Sequence, residues 1–334
     1  MRSILNSNKV KEIKISEIEG VRIGHAQDEE ALTGCTVLIF DDFAPTGVDV
    51  RGGGPASRET TLLDPRAVAT GVNCIFLSGG SAYGLDCAGG IMKYLEEHGI
   101  GFDVGFGIVP LVVGSCIFDL GIGDGKVRPG EKMGYEACAD AENRRSDSGC
   151  IGGGCGATVG KFKGAELAMK SGLGVYAVQI GDLKVGAVVS VNALGDIYDA
   201  DTGEKIAGLL SEDKKSFGDT AECFLGMPNG LYNVFTEHTN TTIGAIVTNG
   251  KLDKSMMGKV AAMAHNGFAR TIRPVHTTAD GDSIYAASCG NVVTDVDVVG
   301  TIAAEVMAKA VSRAVKCATA AGGFPASKDI VKQD

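Results

Sequence analysis

Glycine is the feature that most limits what this chain can become. Forty-nine of its 334 residues are glycine, about 15% and roughly twice ordinary usage. They follow no G-X-Y period, which excludes a collagen-like triple helix. They sit instead among short apolar segments, where small residues let helices pack closely on sheets. With 44% hydrophobic and only 22% charged residues, the chain has material for a large core and too little charge for disorder.

The apolar segments read as layered α/β structure. Thr36–Phe40 and Asn73–Leu77 are short, apolar and closed by turn residues, as buried strands are. Ser81 reads as the N-cap of a helix carrying Leu85, Ala88, Ile91, Met92 and Leu95, stopped by Gly99. Further strands are expected over 174–180, 184–192, 243–248 and 283–288, with helices over 255–271 and 295–320. The longest apolar run, Ile108–Phe118, contains Pro110 and Gly114 and reads as buried core, too short to span a membrane.

Charge and cysteine usage narrow the function. A formal net charge of −10 argues against a nucleic-acid or anionic-membrane partner, either of which wants a basic face. The N-terminal stretch Met1–Ile15 is polar and lacks the apolar region of a secretory signal. Ten scattered cysteines, most in apolar settings, read as reduced, buried thiols in the cytoplasm. Cys150 and Cys155 have no second pair or histidine close by in the chain, so no zinc site is expected.

Several familiar motifs fail on spacing. The run Gly152–Lys161 is not a phosphate loop: Cys155 stands where the first glycine should be, and Phe162 follows the lysine. It reads as a tight turn that delivers Lys161. Asp196, Asp199 and Asp201 lack the closing glutamate of a calcium loop and read as a hairpin turn. The histidines at 25, 98, 238, 265 and 276 show no metal-binding or triad spacing. No cofactor is expected.

The segment Glu237–Asn249 is more informative. A polar stretch meets an apolar strand at Asn240-Thr241. One reading is a strand that opens on β-branched threonine. The other is a self-cleaving junction, in which Thr241 Oγ attacks the Asn240 carbonyl and cleavage exposes a new α-amine. An α-amine titrates near about 7.7–8.0 and can serve as base for its own hydroxyl, so no histidine is needed. Asp280-Gly281-Asp282 reads either as a turn or as a carboxylate pair that orients an ammonium or holds a proton.

Six motifs then occur in order: Gly20–His25, Asp49–Pro55, Gly79–Leu85, Gly156–Lys161, Val191–Asp196 and the 240–248 junction. Together they resemble the DmpA-type self-processing hydrolases, which include L-aminopeptidase/D-esterases, β-aminopeptidases and nylon-oligomer (6-aminohexanoate oligomer) endohydrolases. The resemblance covers roughly residues 16–325. It implies an α/β protein with the αββα four-layer sandwich of N-terminal-nucleophile type. One domain, 1–334, would be cut into chains 1–240 and 241–334 and assemble as a homo-oligomer of four or more subunits. By resemblance Thr241 is the nucleophile, Asn240 ends the large chain and Asn192 donates to the oxyanion. Lys161 lies beside the nucleophile, and Asp280 and Asp282 orient it.

One departure stands out. Where the family often has a tyrosine as a further donor, this chain has Phe118, which cannot donate. Tyr83 is a candidate substitute, and Arg51 falls in a motif near the site. The expected function is hydrolysis of small peptides, amino-acid amides or 6-aminohexanoate-type oligomers. The alternatives are an acyltransferase like the ornithine acetyltransferases, or a non-catalytic homologue.

Overall fold

The computed structural model describes residues 4–226 and 240–330. Two mixed sheets stack face to face. In the six-stranded sheet the order is Val10–Ile13, Leu173–Ile180, Leu183–Asn192, Thr241–Gly250, Ser283–Val292 and Thr46–Val50. All neighbours are antiparallel except Thr241–Gly250 and Ser283–Val292, which run parallel. The five-stranded sheet runs Val21–Asp28, Thr33–Ala44, Val72–Ser78, Val112–Cys116 and Ala56–Arg58.

The strands are nearly continuous apolar runs, as strands covered on both faces must be. Three cores separate the layers. Val21, Leu38, Ile75 and Val113 from one sheet meet Val175, Val188, Ile243 and Tyr285 from the other. The helices Lys254–Thr271 and Val296–Lys316 cover the outer face of the six-stranded sheet with Val260, Phe268, Val306 and Val311. Cys87–Glu97 and Glu131–Asp140 cover the other sheet with Ile91, Leu95 and Cys138. Helix, sheet, sheet and helix give the four-layer order. Between the sheets the Tyr285 hydroxyl and Ser115 Oγ are hydrogen-bonded at 2.8 Å, which satisfies a fully buried phenol.

Small residues set the helix packing. A Cβ on Gly174 would lie 1.9 Å from the Ala310 carbonyl oxygen, and one on Gly90 would lie 1.7 Å from the Glu131 carbonyl oxygen. At both places helix or sheet backbone meets its neighbour directly.

Three local expectations need correction. Gly80 (φ 82°) and Ser81 (φ 55°) are both left-handed, whereas an N-cap wants extended backbone. Residues Ser81–Asp86 therefore form a 3-10 segment, and the α-helix begins at Cys87. The 108–118 run divides: Val112–Ile117 is buried, but Ile108–Val109 pairs with Phe102–Asp103 in a largely exposed hairpin. The cysteines are not uniformly buried either. Cys150, Cys223 and Cys289 are half-buried and Cys317 is exposed, although none is paired. The turn at Asp199 stands as expected: its carboxylate accepts from the Asp201 and Thr202 amides, and Asp196–Tyr198 pairs with Lys205–Ala207. No helix among the described residues is long and apolar enough to cross a membrane.

Candidate active site

Thr241 is the first residue of a central strand, flanked on both sides by the groups the sequence singles out. On one side the antiparallel register places Asn192 directly opposite Thr241. On the other, the parallel partner strand begins at Ser283, so Asp280 bridges to Asn240 and Asp282 faces Thr242. The polar segment 237–239 lies outside the described residues.

The Asn240–Thr241 bond is held at three points. The Thr241 hydroxyl donates to the Asn240 carbonyl oxygen. The same oxygen accepts the backbone N–H of Gly281 at 3.0 Å, and the Asn240 N–H donates to the Ala279 carbonyl at 3.1 Å. Thr241 is 5% exposed and Asn240 1%. Both polar atoms of the Asn240 side chain are buried with no hydrogen-bond partner, a cost of about 1–3 kcal/mol for each such group.

Asp282 fixes the start of the strand. Its Oδ1 accepts the Thr242 N–H at 2.7 Å, and its Oδ2 accepts both the backbone N–H (3.1 Å) and the Nδ1 (2.9 Å) of His276. His276 in turn stacks edge-on against His265, with ring centroids 4.7 Å apart. Asp280 accepts from the Thr277 N–H and hydroxyl. Burial, reinforced by the Asp282 charge, raises its pKa to about 6.

Glycine lets this loop be gripped from outside. The Arg51 and Gly52 N–H groups donate to the Asp282 carbonyl, and Gly54 N–H donates to that of Asp280. A Cβ on Gly52 would sit 2.3 Å from the Asp282 nitrogen, so only glycine permits that approach. Arg51 contributes backbone alone; its side chain pairs with Asp49 and the Ala262 carbonyl.

Lys161 arrives on the Asn192 side. Gly160 has φ 73° and its Cα packs on the Gly208 backbone, turning the chain so that Lys161 points inward. The ammonium nitrogen donates to the Asn192 carbonyl at 3.0 Å and to Asn192 Oδ1 at 2.7 Å. Burial without a carboxylate in contact lowers its pKa to about 7, opposed by the charges of Asp280 and Asp119. Asn192 Oδ1 also accepts the Thr158 N–H, and Nδ2 donates to the Phe118 carbonyl at 2.9 Å. One amide N–H of Asn192 is thereby used, leaving the second for another acceptor.

Phe118, Ile122, Phe324 and Lys161 line a cavity of about 80 Å³. Tyr83 is not among its lining residues; it is exposed and stacks on Arg128 elsewhere. The structure therefore brings together Thr241, Asn240, Asn192, Lys161, Asp280 and Asp282, with Phe118 alongside. The side chains of Tyr83 and Arg51 take other partners. His276 and the Gly281 amide escape the sequence reading. No group of three or more metal-ligating side chains occurs among the described residues.

A four-layer αββα sandwich, with a hydroxyl opening its central strand beside a buried lysine, an amide and two carboxylates, has the architecture of the N-terminal-nucleophile fold class. Known proteins bear this out. Residues 14–328 match the model of peptidase family S58. An uncharacterized aminopeptidase of Mycobacterium tuberculosis is 36% identical over 350 residues, covering 95% of this chain and 97% of its own. A 6-aminohexanoate-oligomer endohydrolase of Agromyces is 30% identical over 324 residues, covering 90% and 85%. Among solved structures, the L-aminopeptidase D-Ala-esterase/amidase of Ochrobactrum anthropi, described as a variant of the Ntn hydrolase fold, superposes with TM-score 0.66. It is 17% identical, with 91% of this chain and 86% of that one covered. A Burkholderia β-aminopeptidase superposes with TM-score 0.65 at 18% identity, with the same coverage. The chain belongs to peptidase family S58 and is a hydrolase of peptide and amide bonds.

Proposed function

We propose that this chain is a precursor that cuts itself between Asn240 and Thr241, and that Thr241 then acts as an N-terminal nucleophile. The observation that carries this reading is the Asn240 carbonyl, touched by the Thr241 hydroxyl and hydrogen-bonded by Gly281 N–H.

In the first reaction Thr241 Oγ1 adds to the Asn240 carbonyl carbon while Gly281 N–H steadies the charge growing on its oxygen. The hydroxyl proton passes to the scissile nitrogen, the C–N bond breaks, and an ester joins Asn240 to Thr241 Oγ1. Water hydrolyses that ester, leaving a carboxylate on residue 240 and a free α-amine on Thr241. Lys161, its pKa lowered to about 7 by burial, puts positive charge beside the new amine when it is protonated, and a like charge there favours the amine's neutral, basic form.

In the second reaction the α-amine takes the hydroxyl proton as Oγ1 attacks a substrate amide, then returns it to the departing amine. The free N–H of Asn192 serves the oxyanion on the opposite side from Asp280 and Asp282. Water releases the acyl group. Phe118 brings no hydroxyl here; the Asn192 amide and backbone N–H groups carry the stabilisation.

The substrates are small peptides, amino-acid amides or 6-aminohexanoate-type oligomers, by analogy with the relatives' names. The two chains, 1–240 and 241–334, stay in one fold, since the strand after the cut lies in the middle of a sheet. Assembly as a homo-oligomer and a cytoplasmic location belong to the same reading, the latter supported by ten unpaired cysteines. The test is hydrolysis of an aminoacyl-anilide panel by wild type, Thr241→Ser and Thr241→Ala. Serine should retain processing and activity at a reduced rate. Activity in the alanine variant would refute the reading.

A further inference from the structure

Away from the nucleophile, two arginines share one groove, and among the described residues neither is paired with an acid. Arg58 ends the Ala56–Arg58 strand. Among the described residues its Nε is buried without a hydrogen-bond partner, and its Nη2 donates to the Met92 sulfur at 3.6 Å. Arg128 lies with its guanidinium carbon 3.7 Å from the centre of the Tyr83 ring, and its Nε donates to the Gly125 carbonyl. Both line a groove of about 540 Å³ together with Ala82, Tyr83 and Asp86. Asp86 forms an ion pair with neither.

This is unusual chemistry for a chain of net charge −10, where acidic partners are in excess. A guanidinium N–H withdrawn from water wants an acceptor, and a planar fork suits a carboxylate. The Tyr83 ring holds the second guanidinium flat, so less freedom is lost when an anion arrives.

The strand that carries Arg58 begins beside the site. A Cβ on Gly281 would lie 2.8 Å from Thr241 Oγ1 and 3.2 Å from the Pro55 Cα. From Pro55 the chain runs as extended strand to Arg58, no more than about 10 Å farther. A substrate whose carbonyl sits at Thr241 can therefore send its leaving half along this strand toward the two arginines.

We propose that Arg58 and Arg128 bind the terminal carboxylate of the substrate's leaving half. The substrates favoured are then free acids, peptides or amino-acid oligomers ending in a carboxylate, over the same molecules capped as amides. The proposal rests on the reading of Thr241 as nucleophile, but it can be tested without catalysis.

Binding of 6-aminohexanoate, 6-aminohexanamide and inorganic phosphate is measured by calorimetry on purified wild type, Arg58→Gln and Arg128→Gln. The acid should bind wild type at least tenfold tighter than the amide, and each substitution should erase most of that preference. Arg128 is exposed, so its variant keeps the test open if Arg58→Gln does not fold. Equal binding of acid and amide, binding of neither, a preference untouched by both substitutions, or binding of phosphate alone would overturn the proposal. If the acid preference holds and follows the arginines while Thr241→Ala still hydrolyses amides, the groove stands and the nucleophile reading falls. Processing and hydrolysis that proceed normally without any acid preference give the converse.

Discussion

The backbone N–H of Gly281 donates to the carbonyl oxygen of Asn240 across 3.0 Å, on the carbonyl that the Thr241 hydroxyl also touches. On the proposed reading, the intact chain already presents one donor of an oxyanion hole to its own peptide bond. The donor exists because Asp280 and Asp282, on either side of Gly281, are each tied down by hydrogen bonds.

Gly281→Ala tests that donor through geometry. The added methyl would lie 2.8 Å from both Thr241 Oγ1 and the Gly54 carbonyl oxygen, so the loop or its neighbours must shift and the Gly281 N–H loses its alignment on Asn240. Loss of one such donor typically slows acyl chemistry about 10²–10³-fold. The half-time of precursor conversion on a denaturing gel should lengthen by about that factor.

His276→Ala removes the ring donor from Asp282 Oδ2 and leaves that oxygen the His276 backbone N–H, at 3.1 Å. A hydrogen bond to a charged group contributes about 1.5–3 kcal/mol. The variant should lose stability in that range by denaturant titration, and its self-cleavage should slow at least tenfold, because Asp282 also anchors Thr242. Unchanged processing would limit His276 to packing.

Lys161 makes a pH-dependent contribution of known sign. Its pKa is about 7 in the fold against 10.5 for an exposed lysine, so the unfolded chain takes up the proton first as the pH falls. Stability is therefore lost from about pH 10.5 down to about 7, and the penalty is constant below that. Lys161→Met should unfold at higher denaturant than wild type at pH 6, with the gap closing toward pH 10.5, while self-cleavage weakens.

Self-cleavage in wild type should climb between about pH 6 and 7. Asp280, raised to about 6 by burial, becomes ionised over that range as Lys161 becomes neutral. A time course of conversion at pH 5, 6, 7 and 8 checks this. A rate that falls with rising pH would assign the working states the other way round.

Much of the site was legible in the primary structure because it is built from side chains at element boundaries. Asn240-Thr241 stands where polar sequence meets an apolar strand, and Asp280-Gly281-Asp282 stands before the partner strand; both lie where expected. The long strands and helices were legible from their runs of apolar and small residues. What was not legible depends on contacts made by folding. The Gly281 donor is a backbone group and carries no side-chain signal. His276 meets Asp282 across a turn, and His265 comes to it from a neighbouring helix, so no fixed spacing announces them. Ser81 misleads because the left-handed backbone at Gly80 and Ser81 denies it the N-cap geometry its residue type favours. Arg51 and Tyr83 lie in motifs near the site, yet their side chains are claimed by Asp49 and Arg128.

The most direct test is the intact mass and N-terminal sequence of the purified protein. The account predicts two chains, residues 1–240 and 241–334, the second beginning Thr241-Thr242-Ile243-Gly244, and a single 34.3 kDa chain for Thr241→Ala. A wild-type protein that hydrolyses amides while remaining one uncut 34.3 kDa chain would contradict it.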